Sequence, residues 1–284
     1  MLNNKSFFKF AATLCVFAGC LINALGQVDI QMQVGPRRAL LHESVFADLR
    51  IANNTSRQII LGGEQANADI EFDVSDMNGR SVRLRPNRSV INRTVVIDPF
   101  TTKSLQVDLV VAYQIVEARP YKVRCVIRLG EGRFSSNQAY FDVNPGSRIA
   151  SQKIGHNGRT RVYNLIYLYR ENHGELFLRV ESEDGSICYG VYNFGNYIRI
   201  QDAEMSFDNQ GRVHLLYQSG PRRFSHYVLN PEGETEERKF YSGIPGRISL
   251  SRSAEGDVSV EGGGAYQGDL YSPGFDFRTN RIFE

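Results

Sequence analysis

From residue 28 onward the chain is written in a two-residue period, and that period most narrows what it can fold into. In Val45-Phe46-Ala47-Asp48-Leu49-Arg50-Ile51 the set Val45, Ala47, Leu49 and Ile51 fits a core, while Asp48 and Arg50 fit a wet face. The turn Asn53-Asn54-Thr55-Ser56 follows. Residues 70–74 and 81–84 flank Asp76-Met77-Asn78-Gly79, a hairpin signal because Asn-Gly tolerates the positive backbone angles of tight turns. Residues 95–99, 105–111 and 121–129 extend the strand series. In the last, Tyr121, Val123, Cys125, Ile127 and Leu129 share one face, and Lys122, Arg124 and Arg128 the other. Gly130-Glu131-Gly132 then turns the chain into residues 138–143. No helical period interrupts the series, so the expectation is an all-β fold.

Seven or eight short strands over about 115 residues match a β-sandwich. On that rhythm, on Val95-Val96-Ile97-Asp98-Pro99-Phe100, and on Pro120-Tyr121-Lys122-Val123-Arg124-Cys125-Val126-Ile127 as a penultimate strand, this region resembles bacterial extracytoplasmic immunoglobulin-like domains. The antibody-type Cys…Trp…Cys signature is absent, since the chain has no Trp. Such domains serve adhesion, substrate positioning, chaperoning and spacing alike, so the resemblance implies a fold and little about function.

Ahead of the strands, Lys5 and Lys9 precede an uncharged apolar run, residues 10–25, that ends in Ala24-Leu25-Gly26. This reads as a cleaved secretory signal, residues 1–26, and predicts a periplasmic or secreted protein. A membrane anchor is the alternative, but the run is short for a span and is broken by Asn23. Phe17-Ala18-Gly19-Cys20 looks like a lipobox with an aromatic at its first position, so membrane attachment is expected only through a lipidated Cys20. The formal charge of +2 belongs to that leader: without its two lysines the chain balances, which argues against nucleic acid as a partner. Cys125 and Cys188 remain. A bridge between them is an option, but an inward position on a strand favours a buried thiol at Cys125.

Asn144-Pro145-Gly146-Ser147 reads as a linker, dividing residues 27–145 from 146–284. Beyond it, Glu183-Asp184-Gly185, Asp208-Asn209-Gln210-Gly211, Asn230-Pro231-Glu232-Gly233 and Ala254-Glu255-Gly256-Asp257 each sit between apolar runs, as hairpin tips do. Gly185 and Gly233 are 48 residues apart and Gly211 and Gly256 are 45 apart, the period of a four-stranded propeller blade. Residues 204–229 look like one blade of a β-propeller. About three such units fit the region, fewer than the four to eight of a closed ring. The readings left open are an open repeat sheet, part of a ring completed by another chain, and a compact β domain that borrows the grammar; the last is the expectation.

Chemistry-bearing motifs are few. His42, His156, His173, His214 and His226 show no ligand spacing, and no metal or cofactor is expected. His214 and His226 fall on consecutive strands of one hairpin, where they can pair. Yet His214 alternates with Val213 and Leu215 and is predicted to point outward. Asp208-Asn209-Gln210-Gly211 lacks the third carboxylate of a calcium loop and reads as a polar turn. Neither a Gly-x-Ser-x-Gly elbow nor a phosphate-binding Gly-x-x-x-x-Gly-Lys loop occurs. The acidic run at residues 232–237 reads as a solvated hairpin tip.

Arginine is the unusual component. Arg83, Arg85, Arg88 and Arg93 cluster around Pro86, and Gly-Pro-Arg-Arg occurs twice, the second time ending in Arg222 and Arg223. These six are the candidate ligand-binding residues, suited by their guanidinium forks to an acidic polysaccharide. The alternating Tyr163, Leu165, Tyr167 and Tyr169 offer either a sugar-stacking face or a core face. The expected function is a non-catalytic interaction or scaffold protein of the bacterial envelope, binding a protein or polysaccharide partner through loops or sheet edges. The alternative is a carbohydrate-active or other hydrolytic enzyme with its acids spread over the C-terminal region.

Overall fold

A computed structural model describes residues 27–156, 158–267 and 280–281. The expected leader, with Cys20, lies outside the described residues. All-β is the observed class. The strands of the first half are β1 (Val28–Gly35), β2 (Arg38–Leu40), β3 (Phe46–Asn53), β4 (Ile59–Leu61), β5 (Ala68–Asp76), β6 (Val95–Ile97) and β7 (Thr102–Asp108), then a helical turn α1 (Leu109–Ala112), then β8 (Pro120–Leu129), β9 (Gly132–Ser135) and β10 (Ala139–Asn144). One sheet runs β1-β3-β7; the other runs β2-β10-β8-β5-β4-β6, with β9 paired to β8. Val45, Ala47, Leu49 and Ile51 are buried as their alternation requires, and they meet Phe72, Val123, Cys125 and Ile127 of the facing sheet in one core. Asn53 ties the layers: its fully buried amide donates to the carbonyls of Arg57, Ile97 and Asp98.

Two expected strands end differently. The run at 105–111 is strand only to Asp108, because Asp108 caps a helical turn by accepting from the amides of Val110 and Val111. The arm at 81–84 is not a strand: it makes isolated bridges, Ser75 to Ser81 and Leu84 to Tyr113, around the Asn78-Gly79 turn. Cys125 is fully buried, and both it and Cys188 are free thiols, pushed up to about 12 by burial.

The second half contains β11 (Ser147–His156), β12 (Arg159–Arg170), β13 (His173–Ser182), β14 (Cys188–Asn196), β15 (Glu204–Phe207), β16 (Val213–Gln218), β17 (Arg223–Leu229), β18 (Thr235–Ser242), β19 (Ser249–Arg252), β20 (Val258–Glu261), β21 (Gly264–Ala265) and β22 (Asn280–Arg281). Two antiparallel sheets follow chain order, β11-β12-β13-β14 extended by β22, and β15-β16-β17-β18 extended by β21; β19 and β20 form a separate ribbon. The four glycines read as hairpin tips, Gly185, Gly211, Gly233 and Gly256, all sit at left-handed φ between +71° and +90°.

The facing sides of these sheets share a core that includes Tyr163, Leu165, Leu178, Phe207, Val213, Leu215 and Tyr227. Both faces are filled in places. Every residue of β16 is buried, because Leu216 and Phe224 pack beneath Ile248 on the side away from that core. His214 is therefore buried, not outward as its alternation with Val213 and Leu215 suggests. On β12, Tyr163 and Leu165 are core, but Tyr169 is half exposed, and Ile166 and Leu168 of the opposite face are buried too.

That opposite face meets the first half. Leu40 packs with Ile166, Leu168, Phe177 and Val191. Beside them Arg170 donates to Glu43 (2.9 Å), to the carbonyl of Arg38 (3.1 Å) and to Glu175 (2.7 Å), all three charged side chains being about nine-tenths buried. Burial pushes the Glu43 carboxyl up to about 7 although Arg170 pulls it down. Arg170 is held up by the two carboxylates against its own burial.

Candidate ligand-binding groove

A groove of about 680 Å³ opens between the end of the β11–β14 sheet and the tip of the β17–β18 hairpin. Its floor is apolar: Leu178 and Val180 from one sheet, Val213 and Leu229, which are register partners, from the other. Its walls are Tyr163, Tyr189 and Tyr192, with Arg161 and the 230–234 tip at the rim. An apolar floor with a few converging polar groups is the usual make-up of a small-ligand site.

The strands place these rings for identifiable reasons. Tyr163 pairs with Val180, Val180 with Gly190, and Leu178 with Tyr192, so these side chains belong to one face. Tyr189 would fall on the other face by alternation. A bulge intervenes: the register passes from Val180–Gly190 to Glu181–Cys188, leaving Tyr189 as the extra residue and re-aiming it into the groove. Two glycines make room for Tyr192. A Cβ on Gly190 would lie 2.7–2.9 Å from its ring and hydroxyl, and a Cβ on Gly233 would strike the hydroxyl outright.

Arg161 is fixed on two sides. Its Nη1 donates to the Pro231 carbonyl at 2.9 Å, and its guanidinium lies 4.8 Å from the centre of the Tyr189 ring, a cation–π contact. Burial pushes the Tyr163 hydroxyl up, against a hydrogen bond from Arg161, so at neutral pH it stays protonated and able to donate. Glu232 and Glu234 are exposed at the rim. The groove is thus lined by tyrosine side chains, of which Tyr163 is buried against Phe207 and Tyr189 carries Arg161 over its ring, with a held guanidinium and carboxylates at the rim, a mixture of apolar and polar groups that suits a ring with several hydroxyls.

Two other features compare with it. A wider groove of about 990 Å³ runs along the first half past Gln31, Gln33, Asp48, Arg50 and Tyr140. It follows the polar outer edge of β1, where Asn137 already takes the place of a neighbouring strand by bonding both the N–H (2.8 Å) and the carbonyl (2.9 Å) of Met32. In the second half, Asp208, His214 and His226 form a buried chain: Asp208 Oδ2 to His214 Nε2 is 3.3 Å and His214 Nδ1 to His226 Nε2 is 3.1 Å. Burial lowers His226 to about 4, and the neighbouring His214 adds to the effect. The described residues contain no group of three or more His, Cys, Asp or Glu side chains able to hold a metal.

Of the six arginines singled out in the sequence, Arg83, Arg88, Arg93 and Arg222 are exposed. Arg85 is half-buried and donates through Nε to the carbonyls of Val110 (3.2 Å) and Tyr113 (3.1 Å), pinning the helical turn. Arg223 donates to Ser219 Oγ at 3.2 Å and lies over Phe240 and Tyr266. Arg83, Arg85, Arg88 and Arg93 sit in the loop between β5 and β6, Arg222 in the turn between β16 and β17, and Arg223 at the start of β17. Sequence reasoning weighed Tyr163 for stacking but passed over Arg161, Tyr189 and Tyr192. The interleaving of Gly and Tyr in Tyr189-Gly190-Val191-Tyr192 is the signal that marks them.

No protein-family model matches the chain, and no curated protein sequence matches it.

Proposed function

We propose that the chain is an exported, non-catalytic binding protein of the bacterial envelope, in which an immunoglobulin-like sandwich displays two blade-like sheets and the tyrosine groove takes a saccharide unit of an envelope glycan. The observation that carries this reading is the convergence of Tyr163, Tyr189 and Tyr192 over an apolar floor, with Arg161 held at the rim. Pyranose rings present a face of C–H groups that lies well on an aromatic ring, while their hydroxyls need polar partners at the edge. The bulge at Tyr189 and the glycines beside Tyr192 bring two partly buried rings that pack against the core to the lining of an opening. The exported location rests on the apolar leader with its two lysines. The test is a glycan array probed with the purified chain lacking residues 1–26. Selective retention on a family of related saccharides is the expected result. Signal on no glycan, or equal signal on all of them, overturns the reading.

A further inference from the structure

We infer that the cavity between the β16–β18 sheet and the β19–β20 ribbon is a second binding site, separate from the tyrosine groove, and that it takes a small neutral hydroxyl compound whose O–H is donated to His226 Nδ1. The cavity holds about 530 Å³, within the range of small-ligand sites. His214, His226 and Tyr241 border it from the sheet, and Val258 and Val260 from the ribbon.

His226 is 4 % exposed, and its Nδ1 has no hydrogen-bond partner among the described residues. An acceptor taken out of water and left without a donor is uncommon in a folded protein and costs stability. The polar chain that starts at Asp208 ends on this atom. Asp208 Oδ2 meets His214 Nε2 at 3.3 Å, and His214 Nδ1 meets His226 Nε2 at 3.1 Å, so both nitrogens of His214 are spent. The two nitrogens of one imidazole diverge. With Nε2 committed toward β16, Nδ1 is turned to the other flank of β17, where β18 contributes Glu237, Lys239 and Tyr241 to the cavity lining. Those neighbours are otherwise placed: Glu237 holds the Lys239 ammonium, and the Tyr241 ring centre lies 6.2 Å from that of His226.

The direction of the chain sets what a ligand must bring. Asp208 is ionised and can only accept, so each histidine in turn donates through Nε2 and accepts through Nδ1. Burial keeps the His226 ring neutral. The missing partner is therefore a donor. Net charge is not called for, because the cations of the lining are already matched: Arg212 by Asp208 at 2.6 Å and Glu236 at 3.6 Å, Lys239 by Glu237. Val228, Val258, Val260 and the Tyr241 ring make the rest of the wall apolar. A hydroxyl on an apolar body fits both halves of that lining, and phenol is its simplest form.

Nitrogen-15 NMR of the histidine-labelled protein, titrated with phenol and separately with anisole, tests the assignment. Anisole keeps the ring and the oxygen but lacks the O–H. Phenol should move the His226 Nδ1 resonance saturably from the position of a free acceptor toward that of a hydrogen-bonded one, with a rise in Tm that follows its concentration. Anisole should bind about fivefold more weakly or worse and leave that resonance in place. Val258→Trp, on the half-buried strand of the ribbon, fills the cavity while keeping both histidines, and should abolish the response to phenol. The two probes on the parent chain decide the matter even where that variant folds poorly. An Nδ1 resonance unmoved by phenol, an equal response to anisole, or a response that survives in folded Val258→Trp overturns the site.

Discussion

His214 and His226 show how a residue's surroundings decide its chemistry. Burial acts to raise Asp208, but hydrogen bonds from Arg212, His214 and the 210–212 backbone hold its carboxyl below the ordinary range. An ionised Asp208 can only accept, so His214 Nε2 carries a proton. With both rings neutral, His214 Nδ1 then accepts from His226 Nε2–H, which leaves His226 Nδ1 as a bare, buried acceptor. A folded-state value near 4 against 6.5 unfolded means the unfolded chain binds the proton first as pH falls. The stabilisation from a neutral His226 is therefore complete above pH 6.5 and is lost as pH drops toward 4, by at most about 3 kcal/mol. Glu43 acts in the opposite sense: raised to about 7, it stabilises below about 4.5 and that contribution is lost as pH rises through 7. A side-chain NMR titration isolates the histidine. The expected midpoint for His226 lies near 4, and a midpoint at or above 6.5 contradicts the burial argument.

At the scale of elements, the sequence carried the period and the punctuation. The alternation of 45–51 and 121–127, and the four glycine hairpin tips, were legible because each is a local rule: one face in, one face out, one left-handed residue per tip. The burial of His214 was not legible, since it depends on the β19–β20 ribbon covering the second face of β16, an event some 40 residues away in the chain. The groove was hidden for a related reason. Tyr163 and Tyr192 share a face by ordinary register, but Tyr189 joins them only through a register slip between β13 and β14, and a two-residue period cannot announce its own exception. Gly233 joins these two lessons, being both a legible hairpin tip and an unforeseen seat for Tyr192. Gly233→Ala combines a strained φ of +87° with a collision at the Tyr192 hydroxyl. It should cost about 1–3 kcal/mol and displace the ring. Chemical denaturation measures the first effect and saccharide titration the second; unchanged values in both contradict the packing described.

At the scale of the whole molecule, the two halves are joined by a small core around Leu40 and by one buried arginine between carboxylates from each side. Gly146 belongs to this joint, because a Cβ there would press on Ile166 and Leu40; the segment read as a linker is a packed turn. Arg170→Met retains the apolar stem but strands Glu43 and Glu175 without their counter-charge. The expected loss is about 3–5 kcal/mol, the usual cost of removing one partner of a buried pair. Differential scanning calorimetry should show it as a lower Tm or as separate transitions for the halves. A Tm equal to the parent's contradicts a structural role for the arginine.

The claim on which the functional account turns is that ligand energy comes from the groove tyrosines. The decisive measurement is isothermal titration of the best-retained saccharide into the parent protein, Tyr189→Ala and Tyr192→Ala. Loss of one stacking face should weaken binding about tenfold or more, equivalent to about 1.4 kcal/mol per ring, with both variants still folding cooperatively and Tm lowered modestly, since Tyr189 and Tyr192 are only partly buried against the core. Equal affinity in all three proteins would place the saccharide elsewhere and contradict the account.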